Sequence, residues 1–161
     1  MPLPISQVLA QWAHAFPFFS LSSNEFYSTA EQIIKEHEFP KIKISRVNNK
    51  EGGLLSASRE YLRIKHRELV YEVCAMPFGK DFCISSWFYE TEGRIKQLLR
   101  TTKIGDFLVS FIKKKTFYQA DKDAMFKSCV HNALMEAIDK MTEAKGYRLS
   151  EQERKITAGN K

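Results

Sequence analysis

Between Lys41 and Tyr89 hydrophobic and polar side chains alternate with a period of two, and three clusters of turn-forming residues interrupt the alternation. The runs are Lys41 to Val47, Leu54 to Lys65, Leu69 to Met76 and Phe82 to Tyr89. The gaps hold Asn48 to Gly53, His66-Arg67 and Pro77-Phe78-Gly79-Lys80. Val, Ile, Tyr, Phe and Trp suit a half-buried pleated surface, whereas Asn, Gly and Pro supply the backbone conformations of turns. The spacing predicts a four-stranded antiparallel meander.

Successive side chains of a strand point to opposite faces, and a short hairpin carries that parity across its turn. One face therefore collects Ile42, Ile44, Leu62, Ile64, Leu69, Tyr71, Val73, Ala75, Phe82, Ile84 and Phe88, all apolar or aromatic. The other collects Lys41, Lys43, Arg59, Tyr61, Arg63, Lys65, Glu72, Cys74, Cys83, Ser85, Trp87 and Tyr89. An antiparallel sheet with one apolar and one mixed face needs helices over the first and is expected to leave the second wet.

Helical spacing supplies candidates for the cover. Ile5, Val8, Leu9, Trp12 and Phe16 predict a first helix that Pro17 ends, followed by the apolar linker Phe18 to Leu21. Ser22 and Glu25 have the spacing of a capping box, and Phe26, Tyr27, Ala30, Ile33, Ile34 and His37 follow as one stripe that closes at Phe39-Pro40. After the sheet, Arg94 to Thr101 reads as helix, and Ile104 to Tyr118 fits either a short buried helix or an extended segment. A long helix is expected from an N-cap at Asp121 or Asp123 to Lys145, with Gly146 as its stop. Its stripe is Phe126, Cys129, Val130, Ala133, Leu134, Ala137, Ile138 and Met141. Ser150 and Glu153 repeat the capping-box spacing ahead of an end expected to fray.

The fold class this implies is α+β, a four-stranded antiparallel meander with helices on one face. Residues 1–161 suffice for one buried core and are too few for two ordinary domains. The expected order is a helix and linker over 1–21, a helix over 22–39, the sheet over 41–89, a helical part over 92–149 and a tail over 150–161.

Composition narrows the function classes. A hydrophobic fraction of 43% with 27% charged residues is globular in character, and no run approaches the length of a membrane-spanning helix. The start, Met1-Pro2-Leu3-Pro4, lacks the positive charge of a secretory signal, so the expected compartment is the cytoplasm. The three cysteines, Cys74, Cys83 and Cys129, form no CxxC pair; Cys74 and Cys83 are placed across the Phe78-Gly79 turn but read as reduced thiols. The net charge is +6, and its excess is local. Residues 41–68 hold eight Lys or Arg against three Glu, and residues 92–115 hold seven against two acidic residues. Such clusters attract polyanions or anionic surfaces without specifying them.

No catalytic motif emerges. Ser85, Ser86 and Cys83 lie on a strand without a G-x-S-x-G elbow, and His14, His37, His66 and His131 are scattered without metal-ligand spacing. Gly52-Gly53 and Pro77 to Lys80 lack the features of a phosphate-binding loop. No catalytic, metal or cofactor-binding residue is therefore assigned. The strongest candidate site is the basic sheet face of Lys41, Lys43, Arg59, Tyr61, Arg63 and Lys65, a cationic surface with an interleaved aromatic as used for single-stranded nucleic acid. A further option is membrane contact by Trp12, Phe16, Phe18 and Phe19 with Phe107 to Ile112 and Lys113-Lys114-Lys115, although such aromatics more simply finish a core or pair two protomers. The reading is a non-catalytic cytosolic interaction module that self-associates, with nucleic-acid or anionic-surface binding by the basic face as the alternative.

Overall fold

The structure, a computed structural model, describes residues 5–50, 58–91 and 116–159. Among them are six strands and two helices: β1 (Ile5–Phe16), α1 (Ser23–Glu36), β2 (Lys43–Lys50), β3 (Ser58–His66), β4 (Leu69–Phe78), β5 (Asp81–Thr91), α2 (Phe117–Thr142) and β6 (Thr157–Ala158). The expected helix over Arg94 to Thr101, the segment Ile104 to Lys115 and the start of the second strand at Leu54 lie outside the described residues.

All six strands form one antiparallel sheet in the order β2-β3-β4-β5-β1-β6. The antiparallel order β2 to β5 is as the alternation predicts, but Asn48 to Lys50 and Pro77-Phe78, expected in turns, extend β2 and β4. The stretch Ile5 to Phe16, expected to be helical, is instead a strand that pairs with β5 from Ile5 opposite Thr91 to Phe16 opposite Phe82. Its inward side chains are Ala10, Trp12, His14 and Phe16, a period of two that two irregularities nearer its start conceal. The sheet thus has two strands more than expected, with β1 inserted beside β5 and β6 beyond it.

The apolar face is the one alternation assigns. Leu62, Ile64, Leu69, Tyr71, Val73, Ala75, Phe82, Ile84 and Phe88 are buried, and Ile42 and Ile44 pack against them at the margin. Both helices lie over this face. α1 begins where expected, its N-cap Ser22 accepting from the amide of Glu25, and it buries Phe26, Tyr27, Ala30, Ile33 and Ile34. Arg46, at the edge of the same face, reaches Glu31 at 2.7 Å and Ser28 at 2.9 Å, so α1 is tied to β2 by charge as well as by packing.

α2 starts earlier than expected. Thr116, not Asp121 or Asp123, is the N-cap, and Gln119 completes a reciprocal capping box with it. The helix runs to Thr142, tightens into a 3₁₀ turn at Glu143–Lys145 and ends at Gly146 in the left-handed conformation. It buries Phe126, Val130, Ala133, Leu134, Ala137 and Ile138, whereas Cys129 is exposed.

Of Ala158 to Lys161, expected to fray, Ala158 and Gly159 are instead tied to β1, and Asn160 and Lys161 lie outside the described residues. Ser150 and Glu153 form their capping pair, with the Ser150 amide donating to Oε2 at 2.8 Å, but only a turn follows. The chain then returns to β1 as the two-residue strand β6.

Candidate functional site

The second face of the sheet can be built up row by row from the strand register. One row crosses Ser45, Arg63, Glu72, Trp87 and Gln11 on β2, β3, β4, β5 and β1 in turn. A parallel row crosses Lys43, Lys65, Val70, Tyr89 and Val8. Beyond them lie Val47 opposite Tyr61 and Asn49 opposite Arg59 toward β2, and Cys74, Ser85 and Ala13, then Met76, Cys83 and Ala15, toward β1.

Of the six residues expected to form one basic face, Lys43, Arg59, Tyr61, Arg63 and Lys65 share this side of the sheet, though not one electrostatic surface, and Lys41 stands in the turn before β2. Arg63 sits directly opposite Glu72, and the two form an ion pair in which each residue is 7% exposed. Arg63 is thereby neutralised in the middle of the face. Val70 and Tyr89 beside the pair are 0% and 2% exposed, so the expectation of a wet face fails here. Burial, reinforced by the neighbouring Glu72 carboxylate, pushes the Tyr89 hydroxyl well above its ordinary range.

Other basic residues lie on either side of the pair. At one end Lys43 is exposed and stands opposite the half-buried Lys65, with Lys41 exposed just before β2. At the other end Arg59 is exposed beside Tyr61, which contacts the Cys74 thiol. Burial raises that thiol against the opposing pull of Arg59. Cys74 faces Ser85 and Cys83 faces Met76, so the two cysteines are diagonal neighbours, not a facing pair, and all three thiols are free.

On the β1 side the face is open and its side chains are small. Gln11, Ala13 and Ala15 are exposed, Ser85 and Cys83 half-buried, and Trp87 is 41% exposed beside them. Among the described residues the adjoining edge of β1 is paired only at Ala10 and Gln11, by β6. The carbonyls of Leu9 and Gln11 accept from Gly159 and from the Thr157 hydroxyl, each at 2.9 Å, which shows that odd-numbered residues turn their backbone groups outward. Ala13 and Ala15 continue that series with no hydrogen-bond partner among the described residues.

The aromatics offered for membrane contact are divided by the structure. Trp12 and Phe16 are core, Phe19 packs on Phe16 and Tyr147, and only Phe18 projects into solvent. Phe107 to Lys115 lie outside the described residues.

Under the helices the structure assembles a polar chain that sequence reading missed. Ser86 Oγ lies 3.0 Å from the Tyr71 hydroxyl, which lies 2.7 Å from His131 Nδ1, and His131 Nε2 lies 2.6 Å from the Arg154 carbonyl. A carbonyl only accepts, so Nε2 carries the proton, Nδ1 accepts from Tyr71 and Tyr71 accepts from Ser86. Ser86 is 0% exposed, and every member spends its hydrogen bonds on the next. The arrangement joins sheet, helix and C-terminal segment. Its signal in the sequence was a serine on the apolar parity of β5 and a histidine adjoining the apolar stripe of α2. The remaining histidines are apart from it: His14 contacts Tyr147 at 2.8 Å, His37 pairs with Glu136 at 2.9 Å, and His66 stacks near Phe126.

Among the described residues no group of three or more His, Cys, Asp or Glu side chains could hold a metal, and no helix is long and apolar enough to cross a membrane. The chain matches no family model, no curated protein and no solved structure.

Proposed function

We propose that this protein is a non-catalytic interaction module that self-associates, and that the open edge of β1 with its small-residue floor is the contact. The observation that carries the reading is the unguarded edge at Ala13 and Ala15. β1 is 12 residues long and is paired with β5 along its length, yet β6 shields only two of its residues. Sheet edges are ordinarily protected by charges, proline or bulges, because free amides and carbonyls template a further strand. Trp12-Ala13-His14-Ala15-Phe16 carries none of these protections, and two methyl side chains leave room for close approach. An antiparallel pairing of the same edge in a second copy is self-complementary about a two-fold axis and opposes no like charges at neutral pH. Sedimentation velocity should show a defined oligomer, and Ala13→Lys with Ala15→Lys should convert it to monomer. A monomer at all concentrations, or an oligomer indifferent to both lysines, refutes the reading.

A second reading rests on a separate observation, the cross-strand pair Lys43 and Lys65. Like charges directly opposite on one face are destabilising, and neither lysine meets a carboxylate among the described residues. A polyanion would relieve that repulsion, with Lys41 extending the contact. Binding of a short single-stranded oligonucleotide should then weaken with salt and weaken further on changing Lys43 and Lys65 to Ala. Absent or salt-indifferent binding removes this reading.

A further inference from the structure

We propose that residues Tyr147 to Gly159 form a proton-operated strap, held against β1 and α2 at neutral pH and lifted when His131 takes up a second proton, while sheet and helices stay folded. Side chains of the folded body hold this strap at three places. Trp12 Nε1 donates to the Glu153 carbonyl at 2.5 Å, His131 Nε2 donates to the Arg154 carbonyl at 2.6 Å, and His14 meets the Tyr147 hydroxyl at 2.8 Å. Arg154 adds a contact to Asp139 at 2.5 Å, and beyond it the two pairs of β6 and the Thr157 hydroxyl on the Gln11 carbonyl fasten the end. Leu149 is the strap's fully buried apolar anchor. Tyr147 also packs on Phe16 and Phe19, and Ile156 lies against the core, so three apolar side chains and a handful of polar contacts hold a short segment that can open separately from the sheet and helices.

His131 is placed to govern that opening. From the sheet it faces the Tyr71 hydroxyl, with Ser86 behind it, and the Trp12 ring at 6.1 Å. From the strap it faces the Arg154 carbonyl, and on its own helix Lys127 adds a positive charge one turn away. Of the carboxylates around it, Asp139 is engaged with Arg154, Glu136 with His37 at 2.9 Å and Glu153 with Ser150 at 2.6 Å, while Glu151 and the Lys155 cation line the same opening from the strap. An imidazolium formed here is buried with no carboxylate of its own, and burial holds the ring's proton affinity below the ordinary histidine range. The hydrogen bonds themselves can survive, since Tyr71 can turn its proton toward Ser86. Hydration of the cation is what is lacking, and raising the strap that covers it supplies water. At His14 the Glu153 carboxylate, 3.8 Å from Nε2, partly offsets the burial that lowers its proton affinity, so charging it favours release less than charging His131 does. The main sensor is therefore His131.

Lifting the strap also removes β6 from Ala10 and Gln11 and frees the outward edge of β1 further; that consequence rests on the proposed self-association, whereas the strap's release does not. Amide hydrogen exchange on the intact protein tests the release by itself, read as protection factors so that the intrinsic effect of pH on exchange cancels. Between pH 7.5 and pH 5.5 the protection of the Gly159 amide, which donates to the Leu9 carbonyl, should fall by up to about tenfold while that of the Ala75 amide holds. His131→Gln keeps a donor and an acceptor without titrating and should abolish the response, and His14→Gln should preserve it. Should His131→Gln not fold, nuclear magnetic resonance titration of the wild-type His131 ring must coincide with strap release. Equal Gly159 protection at both pH values, simultaneous loss at Ala75, or a pH response surviving in His131→Gln overturns the proposal. Sedimentation of the same samples reports separately on association.

Discussion

The hydroxyl of Tyr27 accepts the backbone amide of Ala75 at 2.9 Å and donates to the carbonyl of Glu60 at 2.7 Å, standing in the β3–β4 ladder where those two groups would otherwise meet. The ladder is paired from His66 opposite Leu69 to Leu62 opposite Val73 and opens just beyond. A side chain of α1 therefore replaces one rung of the sheet. Tyr27→Phe leaves a buried donor and acceptor unsatisfied and is expected to destabilise the fold by about 2 kcal/mol in urea denaturation, with faster exchange at Ala75. An effect below about 0.5 kcal/mol would mean that the strands close and bond directly.

The Arg63–Glu72 pair makes a prediction of opposite symmetry for single and double changes. Removing one partner strands a buried charge, so Arg63→Met or Glu72→Leu should each cost about 3–5 kcal/mol. Replacing both with these apolar side chains of similar size should restore stability to within about 1 kcal/mol of wild type. A double variant as unstable as the sum of its parents would show that the pair is held by more than its two charges.

Stability should decline in mild acid. Burial lowers the proton affinity of both His14 and His131 in the folded state, so the unfolded chain binds more protons below the ordinary imidazole value of 6.5. Their contribution is fully present above that value and is lost as pH falls through it toward the folded values. Each histidine can add a slope of up to about 1.4 kcal/mol per pH unit in that window. Denaturation midpoints measured from pH 7.5 to pH 5 should fall with unchanged m, and the slope should shrink in His131→Gln. A flat profile would contradict the burial assigned to these rings.

Lys43→Glu converts a repulsive cross-strand pair into an attractive one. In the absence of any polyanion it should stabilise the protein by about 0.2–1 kcal/mol, an effect that weakens as salt is added. If the corner serves an anionic partner, the same change should lower affinity for oligonucleotides, so stability and binding move in opposite directions. Thermal unfolding and a binding titration on one variant separate the two readings.

The meander was legible because four consecutive strands each keep an unbroken apolar side. β1 was not, because Trp12 and Phe16 also satisfy helical spacing, and two of its four inward places hold the small Ala10 and the polar His14. The start of α2 was hidden by two aspartates that looked like caps, while the Thr116 to Gln119 box carried the signal. Parity placed Arg63 correctly on its face but says nothing about which residue stands beside it, and that neighbour, Glu72, decides whether the arginine is available. The Tyr71–His131 contact joins residues sixty positions apart and has no local trace at all. A strand as short as β6 has too few residues for any period.

The position of β1 in the sheet has a bearing on biosynthesis. It leaves the ribosome ahead of every other described element, yet its principal neighbour, β5, is the last strand of the meander to be made. Through that interval Trp12 and Phe16 have no strand to lie beside, and sequence-distant pairings of this kind close slowly. The nascent chain thus carries a sticky leading segment that must be kept from premature company until Thr91 has emerged.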